Sequence, residues 1–348
     1  MESILEEIRN NLQQIMDIEN CEINEFSFYC RGKFLVDTKT AREYIFNLGK
    51  SLNMTPFIDK EGEFISVRFL NLKRPEKSSI IWNVVLLIVT FFSTLIAGTM
   101  NAGYNPLIVK NLIHGLSFSL SIMIILGGHE LGHFFLARKN GVMATYPYFI
   151  PAPQIIGTFG AVIKIKSPIP SKDALVEIGA AGPITGFILA IIATIIGLKF
   201  SHIVPIKTTH GLTLGNNLIF LLLSNLIHPN VKAGLDLVLH PVAFSGWIGF
   251  LVTALNLLPV GQLDGGHISY AFFGKYHKYV SISMIALCLG LGMIWPGWIV
   301  WGTLLVLIGW RHPPPLDNVT PLSMSSKIIG GVSLLIFILC LTPVPFKM

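Results

Sequence analysis

The sequence predicts a polytopic all-α membrane protein with a small α+β domain at its N-terminus. Three observations predict it. Of 348 residues, 52% are hydrophobic and only 13% charged, against about 25% charged in ordinary soluble domains, and mean hydropathy is +0.65. The charge is also segregated: of 19 carboxylates, only Glu130, Asp173, Glu177, Asp236, Asp264 and Asp317 lie beyond residue 77. Finally, apolar stretches at 79–99, 114–137, 174–198, 241–258, 278–294, 297–310 and 326–343 approach the ~20 residues a helix needs to cross a bilayer. We therefore divide the chain into a soluble regulatory domain, 1–77, and a membrane domain, 78–348. Within the latter the core covers about 79–311, with about six or seven spanning helices and an extra C-terminal helix at about 326–343.

In the first domain, "MESILEEIRNNLQQI" repeats apolar residues at helical spacing and predicts a helix over 2–16. A strand follows over 25–36. "DTKTAREYIFNLGKSL" predicts a helix over 38–52 with Thr38 as its cap. "DKEGE" (59–63) turns a hairpin into the alternating strand "FISVRFL" (64–70). Nothing here resembles a catalytic cluster, so a regulatory or packing role is expected. The acidic, amphipathic start lacks the pattern of a cleavable signal peptide. Cys21, Cys30, Cys288 and Cys340 are scattered without a CxxC pair, which predicts neither a disulfide framework nor a thiolate metal site.

The apolar stretches that follow can be oriented by their flanking cations. With the N-terminal domain cytoplasmic and each stretch crossing once, twelve fall inside: Lys73, Arg74, Lys77, Arg138, Lys139, Lys164, Lys166, Lys172, Lys275, Lys278, Arg311 and Lys327. Five fall outside: Lys110, Lys199, Lys207, Lys232 and Lys347. This asymmetry follows the positive-inside rule and places a multi-pass protein in the cell membrane. "LGNNLIFLLLSNLI" (214–227) is short for a crossing and is read as re-entrant or interfacial on the outer side. The net charge of +6 arises largely from these flanking cations; it suits a lipid surface and gives no sign of nucleic-acid binding.

Chemistry concentrates in "LGGHELGHFFLAR" (126–138). On a helix, His129 and His133 stand at i and i+4 on one face and can reach a single ion. Glu130, one residue on, is offset and suits a general base beside a metal-held water. An ionisable group inside a membrane segment costs roughly 2.5–3.5 kcal/mol on insertion scales, so it is expected to be functional. At 1.5 Å per residue the motif lies roughly 8 Å from the boundary marked by Arg138 and Lys139.

A catalytic zinc takes three protein ligands and keeps one position open. Among the few remaining carboxylates, Asp264 in "NLLPVGQLDGGH" (256–267) stands at the inner end of its segment, on the same side as the histidines. Pro259, Gly261, Gly265 and Gly266 break the helix there, and irregular backbone at membrane depth implies a protein-lined or wet cavity. His267 is a rival third ligand. Asp173 and Glu177 instead suit the N-terminus of the 174–198 helix after Ser171.

The pair "HELGH" and "NLLPVGQLDGG", on two separate apolar segments, resembles the site-2 protease family of intramembrane zinc metalloproteases (peptidase M50). The overlap runs from about 79 to 311, and "GNNLIF" with "HPVAFSGWIGFLVTALNLLPVGQLDGGH" is similar to the branch without a PDZ-like insert that includes chloroplast proteases. The resemblance implies that His129, His133 and Asp264 bind one zinc ion and that Glu130 is the catalytic base. It implies that Asn256 steadies substrate or oxyanion, although a helix-packing asparagine has the same appearance. It also makes "GTFGAVIKIKSPIP" (157–170) a membrane-embedded β-hairpin whose edge receives substrate as an added strand. "GAAGPITG" (179–186) has GxxxG spacing at Gly182 and Gly186, expected to bring helices close around the site.

The expected function is hydrolysis of peptide bonds within transmembrane helices of membrane-protein substrates, near the cytoplasmic face. Two other classes compete. A catalytically inactive relative would bind membrane proteins without cutting them. A metal-ion transporter would need polar residues in line across the membrane, and the outer halves of these segments offer almost none.

Overall fold

The computed structural model describes residues 2–24, 27–72, 79–205, 213–229 and 234–347. Lys73, Arg74, Lys77, Lys207 and Lys232 of the charge count lie outside the described residues.

The N-terminal unit runs α1 (Glu2–Leu12), β1 (Met16–Asn24), β2 (Ser27–Phe34), α2 (Thr38–Ser51), β3 (Thr55–Glu61) and β4 (Phe64–Leu70). Its four strands form an antiparallel sheet in the order β1-β2-β4-β3. Strand alternation turns Phe28, Cys30, Ile58, Val67 and Phe69 to one face, where Ile8, Leu12, Ala41 and Ile45 of the helices bury them. Three sequence expectations change here. The first helix ends at Leu12 and "MDIENCEIN" forms a strand of its own, so an additional hairpin replaces a single strand at 25–36. The cap of α2 is Asp37, not Thr38: its carboxylate accepts from the Lys39 and Thr40 N–H groups. And Cys21 pairs with Cys30 as a disulfide, because the β1–β2 register sets the two directly opposite each other; Cys288 and Cys340 remain free and buried.

Three helical stretches, Ile81–Asn101, Val109–Lys139 and Lys172–Lys199, are long and apolar enough to cross a membrane. They contain α3 (Ile81–Asn101), α4 (Leu116–Lys139) and α5 (Lys172–Lys199). Shorter helices follow: α6 (Leu218–Ile227), α7 (Pro241–Asn256), α8 (Asp264–Phe273), α9 (His277–Leu291), α10 (Gly297–Ile308) and α11 (Met324–Cys340). Helix α5 is central. Its Ala190 and Ala193 share a core with Ile122 and Ile125 of α4 and with Trp247, Phe250 and Ala254 of α7. Small residues allow the approach: a side chain added at Gly197 would meet the Ala243 backbone at 2.0 Å, and one at Gly249 would meet Ala190 at 2.8 Å.

A β-hairpin of β5 (Tyr148–Pro151) and β6 (Thr158–Val162) packs against α3. Only the front of the 157–170 stretch is strand, and its partner lies upstream. Gly157 holds a positive φ of +77° where its backbone touches α3, and its carbonyl accepts from Ser93 Oγ at 2.6 Å. At the other end of the helices, β7 (His202–Pro205) pairs with β9 (Leu235–Val238), and β8 (Thr213–Leu214) with β10 (Phe346–Lys347). Trp247 Nε1 donates to the Gly215 carbonyl at 2.8 Å, and Trp298 Nε1 to that of Pro343 at 2.7 Å. His228 Nε2 contacts the Leu198 carbonyl and His240 caps α7. These side chains tie segments of the chain together.

Candidate metal centre

Helix α4 places His129 and His133 one above the other, and after the irregular chain over 257–263 that Pro259 and Gly261 predict, α8 opens on Asp264, with Gly265 and Gly266 inside the helix. Their side chains meet. His129 Nε2 lies 3.1 Å from Asp264 Oδ2, His133 Nε2 lies 3.2 Å from Asp264 Oδ1, and the two Nε2 atoms are 3.2 Å apart. These donors form a group able to hold a metal ion. Both histidines are buried, and Asp264 nearly so. His133 Nδ1 donates to the Ile178 carbonyl of α5 at 2.6 Å. A carbonyl can only accept, so this bond fixes the tautomer and leaves the Nε2 lone pair facing the centre.

Glycines of α5 make room for the imidazoles. A Cβ at Gly182 would lie 2.0 Å from His133 Nε2, and one at Gly186 would lie 3.0 Å from His129 Nδ1. Gly179 does the same for α8, where a Cβ would meet the Asp264 carbonyl oxygen at 3.0 Å. The GxxxG spacing is thus packing of a particular kind, since the surfaces it admits are the histidines and the helix that carries Asp264.

A cavity of about 200 Å³ opens beside the group, lined by Glu130, Asn256 and Gln262 and by the chain from Ala161 to Ile163. Glu130 is buried, and the Ile163 backbone, just beyond β6, lines the same cavity. Asn256 Nδ2 lies 3.2 Å from His129 Nε2. His267 lines the same cavity but is not among the converging donors, and its Nδ1 is 2.6 Å from His312 Nε2. Asp173 accepts from the Ser323 N–H and hydroxyl, both at 3.0 Å, and Glu177 accepts from Asn140 at 3.0 Å. Neither joins the centre. Sequence reasoning missed Gln262 and the Ile163 backbone. Gln262 lies inside "NLLPVGQLDGG" and was findable as the one long polar side chain between Asn256 and Asp264; a backbone group leaves no sequence signal.

The family model described as Peptidase family M50 matches residues 117–295, just over half of the chain. The chain belongs to Peptidase family M50. All five side chains that converge here, His129, Glu130, His133, Asn256 and Asp264, fall inside the span matched to the M50 family. Similar proteins include a probable zinc metalloprotease EGY2, chloroplastic, of Arabidopsis thaliana, 31% identical over 67% of this chain and 42% of its own length. Another is a probable zinc metalloprotease EGY1, chloroplastic, of the same plant, 34% identical over 66% of this chain and 43% of its own. The EGY2 protein of Oryza sativa subsp. indica is 30% identical over 74% and 49%. This M50 chain therefore spans under half the length of the curated relatives it matches. No solved structure matches it.

Proposed function

We propose that this chain is a zinc-dependent endopeptidase that hydrolyses peptide bonds within transmembrane segments of membrane-protein substrates, near the cytoplasmic face. One observation carries the reading: two imidazoles and a carboxylate converge beside a buried glutamate in a chain of a peptidase family. The donor set fits zinc. The closest donor atoms lie 3.1–3.2 Å apart, against about 3.3 Å for the edges of a tetrahedron with 2.0 Å bonds. Nitrogen and carboxylate donors without thiolate suit a catalytic ion, and three ligands leave a position open.

Bound there, zinc supplies Lewis acidity, acidifying water and polarising the scissile carbonyl. Glu130 takes the proton of the attacking water and delivers it to the leaving nitrogen. The Ile163 backbone faces the same cavity beside that carboxylate. Asn256, with its amide at the rim, donates to the oxyanion as it forms. A peptide bond in a helix is sheltered by the helix's own hydrogen bonds, so cleavage needs replacement partners. Among the described residues β6 pairs only with β5, and its outer edge runs past Glu130. We assign it the role of receiving the unwound substrate as an added strand. In the bilayer we place the hairpin at membrane depth, give the chain about six or seven crossings with residues 1–77 as a cytoplasmic regulatory domain, and locate the centre just below the inner surface; the cation asymmetry supports this orientation.

The test compares purified wild type with Glu130→Gln for zinc content and for cleavage of a membrane-peptide substrate. Equal zinc with cleavage by wild type alone is the expected result. Zinc without cleavage in either would leave a binding protein, and cleavage by the variant would remove Glu130 as base.

A further inference from the structure

The segment that links α10 to α11 reads "RHPPPLDNVT" (311–320) and by composition is a loop. In the structure it is a strap between three parts of the molecule. Strand β3 is the edge of the N-terminal sheet, and the strap pairs with it in parallel: the Ile58 N–H donates to the Leu316 carbonyl at 2.7 Å, and the Asn318 N–H to that of Ile58 at 2.9 Å. Its other edge pairs with the chain just before α5. Leu316 N–H donates to the Ile169 carbonyl at 2.9 Å and Asp317 N–H to that of Pro170 at 3.1 Å. The buried Asp317 lies 3.2 Å from Arg42 Nε of α2. Val319 packs on the N-terminal core, and Leu322 packs with Tyr270 of α8 and Leu175 of α5.

Side chains of the same strap reach the helix that begins with Asp264. Asn318 Nδ2 donates to Asp59 Oδ1 of β3 at 3.0 Å and toward the Tyr270 hydroxyl of α8 at 3.2 Å, so one amide joins the two elements. The His312 ring stacks on that of Tyr270, with centroids 4.7 Å apart, while its Nε2 meets His267 Nδ1. Because His312 Nδ1 faces the Pro313 carbonyl at 2.6 Å, it must donate; Nε2 therefore accepts, and His267 is the donor. Burial, reinforced by His267, pushes the His312 pKa down to about 3, keeping the ring neutral as this bond requires. Pro313, Pro314 and Pro315 stiffen the chain between the ring and the paired residues. Two turns of α8 are thus gripped by residues that the N-terminal unit holds in place, one of them through His267, which lines the cavity beside the metal centre.

We propose that Asn318 and His312 are positioning residues for α8, and that the N-terminal unit, through its edge strand β3 and this strap, sets the placement of Asp264 and thereby controls the peptidase. The control part rests on the proposed zinc endopeptidase activity; the positioning part does not. Both are tested in the full-length protein with Asn318→Ala, Tyr270→Phe and Asp59→Ala, the last lying wholly in the N-terminal unit, and with Arg31→Gln elsewhere on the sheet as the comparison. The first readout is amide hydrogen exchange over 264–273 in metal-free protein in detergent. Severalfold faster exchange is expected for the three variants and none for Arg31→Gln. The second is zinc affinity and cleavage, where we expect about tenfold weaker zinc and a lower kcat at unchanged KM, because the substrate path is untouched. Should Asn318→Ala fail to fold, Tyr270→Phe, which keeps the stacking ring, and Asp59→Ala carry the comparison. Unchanged exchange in α8 would overturn the coupling whether or not the chain is a peptidase. Faster exchange in a protein whose wild type cleaves nothing would refute the control of a peptidase and leave the positioning intact.

Discussion

Replacing Gly182 with alanine separates two accounts of the small-residue rib on α5. If the glycine serves only helix contact, alanine should be benign or helpful, because alanine is favoured over glycine in a helix interior by about 1 kcal/mol. The structure gives the opposite sign. The new methyl would stand 2.0 Å from His133 Nε2, 2.4 Å from Cδ2 and 2.6 Å from Cε1. To reach an ordinary contact of about 3.4 Å, the ring must retreat by roughly 1.4 Å. It cannot swing freely, since its Nδ1 is tied to Ile178. Metal bonds tolerate about ±0.2 Å, so His133 is lost as a ligand or the helices part. We expect zinc affinity to fall at least ~100-fold, about 3 kcal/mol at 1.4 kcal/mol per tenfold, and cleavage to fall with it. Chelator competition measures the affinity, and the cleavage assay the rate. Gly331→Ala on α11, where an added Cβ meets nothing within 4 Å, should change neither. A Gly182→Ala protein with wild-type zinc affinity would refute the seating of His133 on α5.

Three further outcomes follow from other parts of the molecule. Trp247→Phe keeps an aromatic side chain, though a smaller one, and leaves the buried Gly215 carbonyl without its indole donor, at a cost of at least about 1–3 kcal/mol, visible as a lower thermal midpoint with zinc binding unchanged. Asn256→Ala removes an amide beside His129; if it serves the oxyanion, kcat falls about 10²-fold with KM and zinc content held, whereas a packing role would lower stability and spare kcat. The Thr40 hydroxyl and the Thr40 and Lys39 N–H groups hold the Asp37 carboxyl below its ordinary value of 3.8. Its stabilising contribution is therefore present above that value and lost as pH falls through the depressed one, so an acid-unfolding titration of wild type should show a component that Asp37→Asn lacks.

What the sequence shows and hides follows from the range of each interaction. Periodicity is local, and the helical face shared by His129 and His133 is readable from five residues. The scarcity of carboxylates in the membrane part narrows attention to Asp264, and odd-even counting of segments brings it to the right end. The hairpin of β1 and β2 escapes the same reasoning because "MDIENCEIN" is polar on its open face and continues directly from a helical pattern. The Cys21–Cys30 pair depends on the register of that hairpin, which spacing alone does not give. The strap was the least legible, since three prolines followed by "LDNVT" read as linker; its pairing is decided by an unpaired sheet edge more than 250 positions away in sequence.

Helix α5 shows why a metal site can be built from so few polar groups in an apolar setting. Along "GAAGPITG", Gly179, Gly182 and Gly186 open space on successive turns of one face for α8 and for the two imidazoles. Pro183 lies inside the helix and removes one rung of the i→i−4 ladder. One residue before the Gly179 carbonyl that this leaves without its helical donor, the Ile178 carbonyl takes the His133 N–H, so a backbone acceptor does the orienting work that a carboxylate often does at metal histidines. This choice suits the surroundings: a second carboxylate here would add charge in a low-dielectric interior, whereas a carbonyl orients the ring at no such cost. The N-terminus of the same helix starts where the strap pairs, at Ser171. Steric seat, tautomer and the attachment of the N-terminal unit therefore all bear on one rigid element, so a shift of α5 by even a fraction of an ångström acts on both histidines at once.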